Sequence, residues 1–436
     1  MPARRCVREW SPEQVAEAAG GRLVAPPPRP GGPDRAIIDS RAARAGDLFV
    51  GLVGDNVDGG RFAPQALAGG AWGVLVAPEH AAAAQCAVPG VLIAADDPLA
   101  ALQRLASAWR RALGCPVVGI TGSVGKTSTK DILAAMLGQA KRTIANRENF
   151  NTEIGLPLTV LEAPAGTEAL VLEMGMRGPG QIAELAAIAE PDVAVITAVA
   201  PVHLELMGSM EAIAAAKAEL VAGLRPGGTA IVPAGEPLLD AHRRDDVATI
   251  TFGPGGDVDE LPADLELPFT SAHMQRNALA ALAAARALGV HPTGRLDVAL
   301  SRYRGQRVEL PGDIVVINDC YNANPMSMRA ALDDLAASAS GRRVAVLGDM
   351  LELGPDEARY HAEIGDYARA SGVDVLVAVG PRAAHFADGY GDVVVLPDAQ
   401  AAANAVPALL QPGDTVLLKA SRGVGLEIVA RALEAA

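Results

Sequence analysis

At about 150 residues per domain, 436 residues predict two to four domains, and a chain that is 50% hydrophobic and 20% charged can bury several cores rather than stay disordered. A net charge of −14, from 37 Lys and Arg against 51 Asp and Glu, argues against a protein that coats DNA or RNA, because such binding depends on cations neutralising phosphates. Only 3% of residues are aromatic, so Ala, Val and Leu must fill the cores; among the basic residues only Lys126, Lys130, Lys141, Lys217 and Lys419 are lysines.

The first ten residues carry Arg4, Arg5, Arg8 and Glu9, and no apolar signal core follows. Apolar runs are broken well before the roughly 18 residues that span a bilayer. Cys6, Cys86, Cys115 and Cys320 are far apart and form no Cys-x-x-Cys pair. These features predict a cytoplasmic protein without membrane or nucleic-acid partners.

Residues 1–112 mix short strands (36–38, 48–52, 73–76 and 91–93) with Ala-rich helices, and 99–113 reads as an amphipathic helix ending at Gly114. From 113 the rhythm is strand, turn, helix: strands at 117–121, 169–174, 193–197 and 229–232, helices at 127–137, 179–188 and 210–224. An acidic irregular stretch, 257–269, precedes a helix at 271–288. A second alternating block begins at 312, with strands at 314–319, 343–347, 373–379, 393–396 and 415–419. The pattern predicts an α/β protein of three domains, 1–112, 113–311 and 312–436. They are a small mixed α/β domain, a central P-loop-type parallel sheet covered on both faces, and a Rossmann-like doubly wound domain. The first is nearly neutral, with 12 basic and 11 acidic residues; the acidity sits in the other two.

The segment 119–127 follows a buried strand and opens a helix. Its form is T-G-x-x-G-K-T, with Ile120 where the stricter phosphate-loop pattern has Gly. Gly122, Ser123, Val124, Gly125, Lys126, Thr127 and Ser128 can wrap phosphate oxygens with backbone N–H groups and a helix N-terminus. Lys126 would reach the terminal phosphates and Thr127 would ligate Mg²⁺. Glu173, at a strand's carboxyl end, and His203, beyond the next strand, can face this loop. Each also reads as an ordinary structural polar residue. Lys217 reads as a surface lysine with a solvated head, or as an amine doing what Arg cannot, because only its pKa can fall far enough.

Taken together these segments resemble the Mur ligases. T-G-S-V-G-K-T (121–127), N-F-N-T-E-I-G-L-P (149–157), L-E-M-G (172–175), V-H-L-E (202–205) and A-K-A-E (216–219) occur in that family's order. D-C-Y-N-A-N-P (319–325) and L-G-D-M-L-E-L-G (347–354) narrow the resemblance to the member that adds D-alanyl-D-alanine. D-S-R (39–41) and G-D-L-F-V (46–50) are similar to its nucleotide-sugar segment. The resemblance implies a monomer whose three domains bind a UDP-N-acetylmuramoyl-tripeptide, ATP and D-Ala-D-Ala in turn. It implies Lys126 on the γ-phosphate, Thr127 and Glu173 on one magnesium, His203 near a second, and a carbamate on Lys217 acting toward Mg²⁺. Asn277 would contact adenine, and Arg307, Asp319, Tyr321 and Asn322 would approach ATP. Ser40, Arg41, Asn151, Thr152 and Glu153 would face the UDP-sugar peptide, and Asn324, Ser421 and Arg422 the dipeptide. Ala198, Ala200, Met274 and Asn318 depart from the family pattern. A diaminopimelate-adding ligase would show an Asp-Asn-Pro-Arg motif, which the chain lacks; a nucleotide-binding regulator descended from a ligase is the reading of a different class.

Overall fold

The computed structural model describes residues 9–24, 30–85, 89–147, 149–201 and 204–435. His203, Cys6 and Cys86 lie outside them. Among the described residues no helix is long and apolar enough to cross a membrane, and the cysteines Cys115 and Cys320 are buried.

The first sheet has five strands in the order Arg22–Leu23, Val91–Ala94, Gly73–Val76, Asp47–Val50, Arg35–Ile37. All pairings are parallel except that of Arg22–Leu23, so the unit is mixed, as expected. Helix Pro12–Ala19 in front of it starts on a capping box, Ser11 with Gln14, and stops at Gly20 in the left-handed region.

Helix Pro98–Leu113 joins the first unit to the second. Asp97 caps its start and Gly114 ends it. Its buried face, Leu102, Leu105, Ala106 and Trp109, belongs to a core that runs on through Leu156, Val160, Leu172 and Ile196 of the central unit. Trp109 Nε1 donates to the Ala163 carbonyl at 3.0 Å. The two units therefore share one core across the junction expected after residue 112.

The central sheet is wholly parallel, in the order Ala248–Phe252, Thr229–Pro233, Val193–Ile196, Val117–Thr121, Ala169–Glu173, Thr143–Ala145. The four inner strands are the apolar runs that sequence predicts; burial on both faces demands such runs. The two edge strands, Thr143–Ala145 and Ala248–Phe252, went unpredicted because they are only partly buried and carry little apolar signal. On one face, Ala-rich helix Ala272–Ala287 packs closely on helix Lys126–Gly138, with Ala278 and Ala280–Ala285 fully buried.

The third sheet runs Gln306–Leu310, Ile314–Asn318, Thr415–Lys419, Arg343–Gly348, Val375–Val379, Val394–Leu396. Gln306–Leu310 is antiparallel to Ile314–Asn318, and the other pairings are parallel. The hairpin groups 306–310 with the third sheet, just ahead of the expected boundary at 311/312. Its alternating exposure is that of an edge strand, which the search for continuous apolar runs passed over.

In the central sheet, Val117–Thr121 lies between two strands that follow it in the chain; in the third, Thr415–Lys419 lies between two that precede it. Each makes a topological switch point at its carboxyl end, where open α/β sheets take ligands.

Candidate active site

Both switch points open into one cavity of about 810 Å³. One wall is the loop between Val117–Thr121 and Lys126–Gly138. Gly122 (φ +147°) and Gly125 (φ +85°) are forced: a Cβ would stand 2.0 Å from Thr197 Oγ1 at Gly122, and 2.3 Å from Asn277 Oδ1 at Gly125. Neighbouring backbone pins the loop. Ser123 N donates to the Ala198 carbonyl (2.8 Å), Ser123 Oγ pairs with the main chain of Ala200 (2.9 Å), and Thr197 Oγ1 donates to the Val124 carbonyl (2.6 Å). The departures at Ala198 and Ala200 leave these bonds intact, since only main-chain atoms of the two residues take part. Ile120, where the stricter motif has Gly, is a buried strand residue.

Lys126 curls over the loop, and its Nζ donates to the Gly122 carbonyl at 2.8 Å. Burial pushes its pKa below the usual lysine value; the Glu173 carboxylate opposes that shift and Arg304 adds to it. Glu173 ends the adjacent strand and is buried. Its main chain is clamped by Asn146, whose Oδ1 accepts from Glu173 N (2.8 Å) and whose Nδ2 donates to the Glu173 carbonyl (2.9 Å). Buried Lys130 in turn donates to the Asn146 carbonyl at 2.7 Å. Glu173 Oε1 accepts from Asn151 Nδ2 (2.8 Å), whereas Oε2 is buried with no hydrogen-bond partner among the described residues. An orphaned carboxylate oxygen beside a phosphate loop and the Thr127 hydroxyl fits a hard cation. Magnesium takes one or two carboxylates and completes its shell with phosphate and water.

The facing wall comes from the third unit. Asp319, Tyr321, Asn322, Asn324, Lys419, Ser421 and Arg422 line it. Buried Lys419 holds the turn after Ile314–Asn318, with Nζ 2.5 Å from Asp319 Oδ2 and 3.0 Å from the Asn322 carbonyl. Asn324 caps helix Pro325–Ser338 through Ser327 N (2.9 Å). Ser421 Oγ accepts from Leu351 N (3.0 Å), tying two strand ends together. Asn151, Thr152, Glu153 and Asn277 also line the cavity.

Several expected residues lie elsewhere. Arg307 is outside the cavity lining, paired with Asp334 at 2.9 Å. Arg304, which sequence reasoning missed and which carries no motif, does line the cavity. Arg304 Nη2 lies 3.2 Å from Thr127 Oγ1, and its guanidinium stacks 3.9 Å from the Tyr321 ring centroid. His273 also lines the cavity, and burial lowers its pKa despite Asp319 nearby. Ser40 and Arg41 belong to the first unit and do not line this cavity. Ser40 Oγ donates to Gln65 Oε1 at 3.1 Å, and the exposed Arg41 forks onto Asp39 at 2.8 and 2.9 Å. Lys217 is 1% exposed on helix Met210–Ala222, which overturns the surface reading. Burial first, and the charge of Lys126 second, push its pKa well below that of ordinary lysine.

Three family descriptions match the chain: Mur ligase family, catalytic domain, over residues 37–110; Mur ligase middle domain over 120–266; and Mur ligase, glutamate ligase domain, over 303–422. A UDP-N-acetylmuramoyl-tripeptide–D-alanyl-D-alanine ligase of Synechocystis is 39% identical over 410 residues, 90% of each chain. Among solved structures, MurF from Acinetobacter baumannii superposes with a TM-score of 0.87 at 29% identity, covering 98% of this chain and 99% of that one. MurF ligase from Thermotoga maritima, in complex with ADP, gives 0.79 at 29% identity, covering 92% and 97%. The chain belongs to the Mur ligase family.

Proposed function

We propose that the chain joins D-alanyl-D-alanine to UDP-N-acetylmuramoyl-tripeptide, using ATP through an acyl phosphate and completing the UDP-N-acetylmuramoyl-pentapeptide for peptidoglycan. The observation that carries this reading is the single cavity on which a phosphate loop and a second switch point converge. The relatives named for this activity, aligned over nine-tenths of the chain, supply the substrates. The first domain would take the UDP-sugar peptide, with Ser40 and Arg41 near its diphosphate; an Arg fork suits that group better than Lys does. The central domain would take ATP, and the third D-Ala-D-Ala, near Asn324, Ser421 and Arg422.

A carboxylate is a poor electrophile, so the tripeptide must be activated. The loop amides and Lys126 would hold the phosphates in line with the tripeptide carboxylate, and positioning with charge neutralisation is most of what phosphoryl transfer needs. Thr127 and Glu173 would hold a magnesium ion, which when bound supplies further neutralisation of phosphate charge. The dipeptide amine then attacks the acyl carbon, loses its proton, and phosphate leaves. Walls from two domains keep water off the acyl phosphate. Burial and the charge of Lys126 lower the Lys217 pKa, which favours addition of its amine to carbon dioxide, with loss of a proton, to give a carbamate. That carboxylate would complete the charge around magnesium.

Phosphate release is the test. It is expected only when ATP, a UDP-tripeptide and D-Ala-D-Ala are all present, and running it with diaminopimelate and lysine tripeptides identifies the third residue. Release that ignores the dipeptide would sink the proposal.

A further inference from the structure

We infer that Arg304 is a ligand of the nucleotide's terminal phosphate, carried on the connection between the central and third domains, and that through it the enzyme distinguishes ATP from ADP. The inference rests on the phosphate loop being a nucleotide site.

Arg304 sits where two domains meet. On the central side, Ser301 N donates to Asp131 Oδ2 at 2.7 Å, fastening the connection to the phosphate-loop helix. On the third-domain side, Gly305 N donates to the Asn318 carbonyl at 3.0 Å and Tyr321 N to the Tyr303 carbonyl at 3.3 Å. Between these anchors Tyr303 takes the left-handed conformation (φ +62°), unusual for a bulky residue, and this turn carries Arg304 back toward the loop. Tyr321 then supports the guanidinium from its face, leaving the planar edge free to bond.

What that edge touches identifies its ligand. One Nη is on Thr127 Oγ1, the hydroxyl that a phosphate loop places beside the metal and the outer phosphates. Arg304 Nε is buried with no hydrogen-bond partner among the described residues. Such a donor in a polar cavity calls for an acceptor. Lys126 is close enough for Arg304's charge to act on it, so two cations gather at the loop. Inner phosphates, common to ADP and ATP, have the loop amides; the outermost phosphate is the acceptor that only ATP brings. Arg304 can leave Thr127 to the metal and bond that phosphate through a charge-assisted pair without releasing Tyr321.

Calorimetric titration of the full chain with ADP and with a non-hydrolysable ATP analogue, both with Mg²⁺, tests this. Arg304→Ala should weaken analogue binding at least about tenfold while ADP affinity stays within about threefold. Arg304→Lys keeps the charge but not the fork, and should fall between. An equal loss for both nucleotides would make Arg304 a structural tether, and no loss for either would remove it from the site; each result overturns the inference. Should Arg304→Ala fail to bind ADP through misfolding, Arg304→Lys alone decides by its ratio of analogue to ADP affinity. Wild-type protein that binds neither nucleotide would overturn the reading of the loop itself. Wild-type protein that binds both, with variants that match it, would leave that reading standing and remove only Arg304.

Discussion

Two of the five lysines, Lys126 and Lys419, line the cavity, and two more, Lys130 and Lys217, are buried in the central domain. Lys126 reaches the loop; Lys130 and Lys419 are buried and hold the main chain beside Glu173 and Asp319. Among the described residues Lys217 makes no such fastening bond, and burial drives its amine toward the neutral form. Arg cannot lose its proton or form a carbamate. Lys217→Arg is therefore expected to lose about a hundredfold or more in turnover, the scale of losing a charge aimed at the reacting phosphate. Lys217→Ala, which empties the space, should recover part of its activity with added formate or acetate, and Lys217→Arg should not. A fully active Lys217→Arg enzyme would return this lysine to a packing role. Absence of rescue in a folded Lys217→Ala protein would count against the carbamate.

At the scale of elements, helix Pro98–Leu113 is the part on which two domains depend. Arg110 is 4% exposed at its side chain. Its Nε donates to the Ala189 carbonyl (2.8 Å), and its Nη2 donates to the Glu190 carbonyl (2.7 Å) and meets Asp192 Oδ2 at 3.2 Å. Asp192 in turn accepts from Val117 N at 2.8 Å, at the start of the strand that leads into the phosphate loop. Arg110→Ala would take the buried donor from the Ala189 carbonyl, while Asp192 keeps Val117 N and Arg225 (2.9 Å), a loss of about 1–3 kcal/mol. The urea midpoint should fall with an unchanged slope; a shift below about 0.5 kcal/mol would show that water replaces the guanidinium without loss. The same scale explains what sequence revealed. Buried parallel strands such as Val117–Thr121 and Thr415–Lys419 are unmistakable, because burial on both faces leaves only apolar residues. Edge strands such as Gln306–Leu310 alternate, and the rule that found the others missed them. The phosphate loop was legible because its glycines are sterically obligatory. Arg304 was not, since its role depends on Tyr321 and Thr127, which only the folded chain brings to it. Arg307 has the motif but, in this arrangement, pairs with Asp334.

Across the whole molecule, cohesion is uneven. One hydrophobic core runs from Val15 through Trp109 to Val232 and Val247, spanning the first and central sheets. The third sheet has two clusters of its own, around Leu347 and Val416. Where it meets the rest, the named contacts are polar, such as Ser301 with Asp131 and Arg304 with Thr127, and a cavity of about 810 Å³ lies between. Polar interfaces of that kind permit relative motion, which an acyl-phosphate reaction needs for entry and closure. Scanning calorimetry is therefore expected to show two transitions. The larger would be the joint first and central unit, at about 200 kcal/mol, and the smaller the third, at about 90 kcal/mol, from the usual enthalpy per residue. Trp109→Ala removes a buried ring and its bond to Ala163, and should lower the first transition alone, by about 3–5 kcal/mol. A non-hydrolysable ATP analogue should raise both transitions, because its ligands come from both sides of the cavity. A single transition, or a Trp109→Ala effect felt equally by both, would mean that the polar seam couples the domains as tightly as the shared core does. The cavity would then have to admit its substrates without the third domain moving.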